Sequence, residues 1–326
     1  MPTHRPTFSQ RRRLLQAGSA ALALAAGAGA FAQTGARRTL RVGFQKGGGL
    51  LGVLKAQGTL EKALAPQGWA VTWHEFPAGP QLLEALNGGS VDVGYTGAPP
   101  PIFAQAAGIA LVYIGAEPSG PSVEGIVALP DAPLRDAADL RGKRVAVQKG
   151  SSANFLLVAA LEKAGLKLSD VQPIYLPPAD ARAAFESRRV DAWAIWDPYL
   201  AAIQQAARAR VLADYTGLLR PNAFYEASRA FVDAHPRTVA AVLEVLAKAG
   251  AWASANPRAV AELLAPQLGL PVEVVETWQR RTTYGVQPLS DALVAVQQKV
   301  ADTFHAQGLI PKKIDVAAAV WRWDRG

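Results

Sequence analysis

Five short stretches of this 326-residue chain gather residue types that can hold an anion without a full positive charge. They are Gln45-Lys46-Gly47-Gly48-Gly49, Phe76-Pro77-Ala78-Gly79-Pro80, Thr96-Gly97-Ala98-Pro99, Gln148-Lys149-Gly150-Ser151-Ser152 and Trp196-Asp197-Pro198. Glycine lets the backbone approach a bound group closely. The first N–H groups of a helix lack intrahelical partners and carry partial positive charge, so a glycine- and hydroxyl-rich loop that opens a helix suits an oxyanion. Gly150-Ser151-Ser152, ahead of a helical run over 153–164, is the best example. Ser151 can cap that helix while neighbouring N–H groups face an anion, and plain capping explains the same spacing equally well.

Other residues in these loops have competing readings. Lys46 and Lys149 each follow a glutamine, but a loop lysine is usually just solvated, and both are left outside the core site. Trp193 and Trp196 flank a strand end, where an indole could cover an apolar ligand chain, although burial in packing is commoner. Trp196, nearer the loop, is the better candidate. Asp197 suits an anion site poorly; it either caps the next helix beside Pro198 or holds a ligand amine.

The elements that position these loops alternate. Extended runs over 39–44, 70–75 and 91–95 interleave with helical runs over 50–65, 80–88 and 99–107. Each helix must cross the sheet before the next strand, which predicts parallel strands with right-handed crossovers. In such open sheets ligands sit beyond the carboxyl ends of the strands, where the five loops fall. After an extended run over 125–129, a second series begins at 144–147, with strands over 171–176, 192–195 and 210–213 and helices starting at 152, 179 and 198. Two lobes are expected: 33–124 with 227–326, and 125–226. From 230 onward the pattern is helical, chiefly over 237–255, 259–268 and 291–307, and these helices should pack back on the first lobe.

Composition narrows the function classes. Half the residues are apolar, ample for hydrophobic cores, and there is no cysteine, which excludes disulfides, thiolate metal sites and a cysteine nucleophile. His74, His235 and His305 lack metal-site spacing, and neither a Gly-x-Ser-x-Gly elbow nor a lysine-bearing phosphate loop is present. No catalytic residue, metal ligand or cofactor is therefore assigned. Lysine and arginine are scattered among acids after Arg38, without the footprint of a nucleic-acid surface. One rival remains: Gly47-x-Gly49-x-x-Gly52 with Glu75 ending the next strand matches a dinucleotide fingerprint, and would suit an exported nicotinamide- or flavin-dependent oxidoreductase.

Residues 1–32 read as a signal peptide. Arg5, Arg11, Arg12 and Arg13 precede an Ala/Leu/Gly run without any acid, and Ala30-Phe31-Ala32 matches a small-x-small cleavage site. Gln10-Arg11-Arg12-Arg13-Leu14-Leu15 is twin-arginine-like, with ordinary secretion left open. A periplasmic location follows, with cleavage near Ala32.

Longer strings resemble the aliphatic sulfonate-binding proteins of ABC importers, within the wider group of nitrate, sulfonate and taurine binders. They include 75–87, 100–108, 148–152, 178–185, 191–199 and 311–315, in one order over nearly the whole mature chain. The resemblance implies an α/β fold of the type II periplasmic binding class: two lobes, each a mostly parallel sheet flanked by helices, joined by two hinge strands and closing around a ligand. It implies a monomeric, non-enzymatic protein that captures an organosulfonate and delivers it to an ABC permease and its ATPase. A sensor or enzyme on the same scaffold is a further reading, since fold alone does not settle function. By matching position, Gln45, Thr96, Gly97, Ser151 and Ser152 are assigned to the sulfonate, while Gly79, Pro80 and Trp196 shape the space for its organic tail and Asp197 lines it. A sulfonate stays anionic at all relevant pH, so neutral N–H and O–H donors can hold it. Where such relatives commonly have an acid after Thr-Gly, this chain has Ala98, which is expected to disfavour amine-bearing sulfonates such as taurine and to favour plain alkyl or bulkier ones.

Overall fold

A computed structural model describes residues 37–46 and 49–322. The leader with its cleavage motif, and Gly47 and Gly48 of the first loop, lie outside the described residues.

The first half opens with β1 (Arg38–Gln45), in which Leu40, Val42 and Phe44 alternate into the core. The single helix expected next is divided into α1 (Gly49–Gln57) and α2 (Thr59–Leu64), because Gly58 between them takes φ 61, a left-handed turn that ends the first helix. There follow β2 (Trp69–Phe76), α3 (Gly79–Asn87), β3 (Val93–Thr96), α4 (Pro99–Ala106) and β4 (Leu111–Glu117). The second series is β5 (Glu124–Ala128), β6 (Arg144–Val147), α5 (Ser152–Lys163), β7 (Gln172–Tyr175), α6 (Pro178–Glu186), β8 (Ala192–Trp196), α7 (Tyr199–Ala207) and β9 (Arg210–Ala213). The chain ends with β10 (Ala223–Ser228), α8 (Arg229–Ala234), α9 (Pro236–Ala255), α10 (Pro257–Leu268), α11 (Val272–Arg281) and α12 (Asp291–Ala306).

Two five-stranded sheets result, ordered β2-β1-β3-β10-β4 and β7-β6-β8-β5-β9. β1 runs parallel to β3, and β6 runs parallel to both β7 and β8, as helical crossovers require. β10 is antiparallel to β3 and β4, and β5 is antiparallel to β8 and β9. Both antiparallel strands are entered directly from the other sheet: β4 passes to β5 through 118–123, and β9 passes to β10 through 214–222. Strands β4 and β10 are additions to the sequence expectation. The run Leu-Val-Tyr-Ile-Gly-Ala-Glu of β4 is buried throughout, so it shows no period-2 alternation to mark it as a strand.

The late helices cover the first sheet. α9 and α10 pack on α1, with Leu50, Val242, Leu246 and Leu264 in one buried cluster. α12 instead packs near α4, where Phe304 meets Phe103 at 5.2 Å and Phe155 of α5 at 5.8 Å. α11 contacts α7, a helix of the second series. The C-terminal helices therefore touch both halves, which ties the ends of the two sheets together around one cleft.

Candidate functional site

The cleft lies where the ends of β1, β3 and β8 meet the starts of α1, α3 and α5 and the segment 117–124. Gln45, Gly79, Gly97, Ser151, Ser152, Trp196 and Asp197 all line it. Residues from both series of strands thus converge, as strand-end loops in this class of sheet do. Thr96 and Pro80 are not among the lining residues. Thr96 is fully buried behind Gly97, its Oγ1 2.6 Å from Oε1 of Glu226 and 3.0 Å from the Gly97 carbonyl oxygen. Burial pushes the Glu226 carboxyl well up, partly offset by the hydrogen bond that the Thr96 hydroxyl donates to it.

Across the cleft Gly97, after β3, lies close against Ser152, which opens α5. A methyl group on Gly97 would lie 2.8 Å from Ser152 Cβ and 3.0 Å from its Oγ. Gly79 is similarly confined, its hydrogen facing Pro100, where a Cβ would come within 2.6 Å. These glycines are needed for close approach rather than for turn conformation.

The start of α5 is tightly built. Gly150 takes φ 72, and its N–H donates to Oδ1 of Asn154 at 3.0 Å. Ser151 caps the helix by accepting from the Asn154 N–H at 3.2 Å, while its hydroxyl donates to the Gln148 carbonyl at 2.7 Å. The Ser151 side chain is thereby committed to the turn. What the helix end offers the cleft is the Ser152 hydroxyl and the N–H groups of its first turn. α4 opens differently, on Pro99, Pro100 and Pro101, which have no N–H, and Pro100 presents an apolar, donor-free surface to the cleft. Gln45 donates one Nε2 proton to the Tyr95 carbonyl at 3.0 Å, which orients the amide and leaves its second proton for a ligand.

The two tryptophans separate as expected. Trp193 is fully buried against Phe185, and Trp196 lines the cleft. Asp197 acts as a cap: its Oδ1 accepts from the Ala201 N–H at 2.8 Å, and its Oδ2 lies 3.4 Å from Nη1 of Arg281 on α11. Arg281 also donates to Oε1 of Gln204 at 2.7 Å, so it holds the cap residue and α7 together. Asp197 is 3 % exposed, and burial pushes its carboxyl up to about 7 despite that guanidinium.

Sequence reasoning did not find several lining residues: Lys46, set aside as solvated, and Tyr95, Glu117, Glu124, Trp278 and Thr282. Glu117 and Glu124 are the most unexpected, because two carboxyls border a site otherwise furnished with donors. Both are pushed up to about 8 by burial, offset by the Tyr225 hydroxyl for Glu117 and by Ser152 for Glu124. At neutral pH both are mainly uncharged. The available signal was an acid at each end of two otherwise apolar runs, with two prolines between them.

Of the residues in the dinucleotide fingerprint, Gly47 lies outside the described residues. Gly52 faces Leu264 of α10, where a Cβ would sit at an ordinary 3.6 Å, and Glu75 is exposed on β2. Among the described residues no group of three or more His, Cys, Asp or Glu is placed to hold a metal ion.

The NMT1/THI5 like family matches residues 66–260. A curated protein of Escherichia coli (strain K12), named as an aliphatic sulfonates-binding protein, is 44% identical over 284 residues, covering 87% of this chain and 88% of the relative. The solved alkanesulfonate-binding protein SsuA from Xanthomonas axonopodis pv. citri, bound to MOPS, is 45% identical with a TM-score of 0.83, covering 87% of this chain and 98% of that one. The periplasmic aliphatic sulphonate binding protein SsuA from Escherichia coli is 44% identical with a TM-score of 0.80, covering 87% and 92%. The fold is the type II periplasmic binding fold that these structures share, and the relatives are binding proteins rather than enzymes. The chain belongs to the NMT1/THI5-like family and, within it, to the aliphatic sulfonate-binding proteins.

Proposed function

We propose that this protein captures an organosulfonate between its two sheets in the periplasm and hands it to an ABC permease and its ATPase. It works as a monomer whose lobes are 33–124 with 227–326, and 125–226, after removal of the leader near Ala32. The observation that carries the reading is the meeting of Gly97 with Ser152 at the mouth of α5. Each half of the cleft contributes neutral donors there, and a sulfonate held between them draws the halves together. Gln45 and the first turn of α5 serve the sulfonate head, while Trp196, Trp278 and Pro100 cover its carbon chain. Each buried CH₂ contributes about 0.8 kcal/mol before ordering costs. The MOPS-bound relative supports an organosulfonate as the ligand class.

The test is thermal unfolding of ligand-free mature protein with pentane-1-sulfonate, MOPS, sulfate, nitrate and nicotinamide cofactor. A ligand at one hundred times its Kd stabilises by about 2.7 kcal/mol, a readily measured rise in Tm. Sulfonates should give that rise. Stabilisation by sulfate, nitrate or cofactor alone would reject the proposal.

A further inference from the structure

Of the ion pairs among the described residues, only Arg281–Asp197 joins the first half of the molecule to the second; the others lie within one half. Arg281 ends α11, which packs on α10 in the cluster that covers the first sheet, whereas Asp197 and Gln204 belong to the β8–α7 unit of the second series. Its Nη1 lies 3.4 Å from Oδ2 of Asp197, and its Nη2 donates to Oε1 of Gln204 at 2.7 Å. Both partners of the guanidinium are thus across the seam, and neither is on its own half. Asp197 faces the ligand cleft and Arg281 faces a separate groove between α7 and α11, so the pair forms part of the wall between them. The Arg281 carbonyl also abuts the segment by which the chain crosses between the sheets, since a Cβ on Gly120 would lie 2.1 Å from it.

The remainder of this seam is smooth. Ala201 and Ala202 of α7 share a buried cluster with Val274 and Val275 of α11, and such short side chains interlock little. They let one helix slide on the other, whereas a two-pronged guanidinium fixes one register. On the other side of the cleft, α12 meets α5 through Phe304 on Phe155 and a hydrogen bond from Gln307 to Glu162 at 2.8 Å, without a charge pair. We propose that Arg281 is a positioning residue for capture: its bonds to Asp197 and Gln204 latch α7 to α11 in the closed cleft and break when the halves part. This deepens the reading given above, on which it rests. The side chains of Asp197 and Arg281 are 1 % and 22 % exposed, so their attraction acts in a low dielectric and is largely lost once water enters the seam. The latch therefore favours the closed form and prolongs retention of a bound ligand without touching it.

Two variants test this. Arg281→Met keeps the aliphatic stem and removes the fork, and Gln204→Leu removes one partner at a position that does not line the cleft. Release of MOPS is followed by stopped-flow tryptophan fluorescence, since Trp196 and Trp278 line the cleft. The chain has no cysteine, so spin labels on Glu84→Cys and Asp180→Cys, one exposed site in each half, report the distance between the halves by pulsed electron resonance. R281M should bind MOPS at least fivefold more weakly, chiefly through faster release, and Q204L should show a smaller loss of the same kind. In both, the ligand-free distances should broaden toward longer values, and saturating MOPS should restore the wild-type distance. Affinity within twofold of wild type in both variants overturns the inference, and so does weaker binding with unchanged distances, which would make Arg281 a structural support only. Q204L decides by the same criteria if R281M does not fold. If the wild type binds no sulfonate, the capture reading is what fails, and the ligand-free distances still test the latch.

Discussion

Replacing Gly97 with alanine probes whether the cleft closes by bringing Gly97 against Ser152. The new methyl would lie 2.8 Å from Ser152 Cβ, and Gly97 does not occupy the left-handed region, so the substitution strains a contact and not the backbone. Carbon atoms rest about 3.5–4.0 Å apart, so the two sides must part by roughly 1 Å. Overpacking of this kind costs about 1–3 kcal/mol. Because Gly97 and Ser152 belong to different sheets, opening the cleft relieves the clash, and the cost falls on the closed, ligand-bound form. Since about 1.4 kcal/mol is tenfold in affinity, G97A should bind pentane-1-sulfonate roughly 5- to 150-fold more weakly. The unfolding temperature of the ligand-free protein should barely move. Calorimetric titration and thermal unfolding of the same preparations measure both quantities. Affinity within twofold of wild type would refute the contact as part of closure, and a fall in ligand-free stability that matches the affinity loss would refute the opening motion.

Three further outcomes follow from the same geometry. The raised carboxyls set the sign of the pH dependence of stability: Glu117 and Glu124 at about 8, Asp197 at about 7 and Glu226, also raised by burial, bind protons more tightly folded than unfolded, so stability falls as pH rises from about 4.5 through 8. Thermal unfolding of ligand-free protein from pH 5 to 9 should show that decline, and E124Q should flatten it; a Tm that rises toward pH 8 would contradict it. Thr96→Val removes the partner of a fully buried Glu226 and should cost about 1–3 kcal/mol in urea unfolding, whereas a neutral effect would mean the pair is not formed. Gly120→Ala places a Cβ 2.1 Å from the Arg281 carbonyl oxygen, a backbone clash that cannot be relieved by a rotamer change, and should lower Tm by several degrees by calorimetry.

Much of the site was legible because neutral donors cluster at strand ends. Gln45, Gly79, Gly97, Ser152 and Trp196 could be named from loop composition and from strings shared with sulfonate binders, and all of them line the cleft. The role of Ser151 was less legible, since spacing alone does not distinguish a serine that caps its helix from one that faces a ligand. The structure commits its hydroxyl to Gln148. Thr96 adjoins the cleft in sequence yet points into the core, because alternation along β3 sends it toward Glu226.

The sequence by itself determined the alternation of strands and helices, the two similar series and the kind of loop that ends each strand, since these depend on local periodicity and on glycine, proline and hydroxyl positions. Tertiary structure decided the insertion of β10 between β3 and β4 and of β5 between β8 and β9, which depends on long-range pairing. It also decided the state of Glu117 and Glu124. An acid at the end of a strand is ordinarily solvated, and only the passage of the chain from one sheet to the other buries these two beside the ligand cleft, where desolvation keeps them protonated.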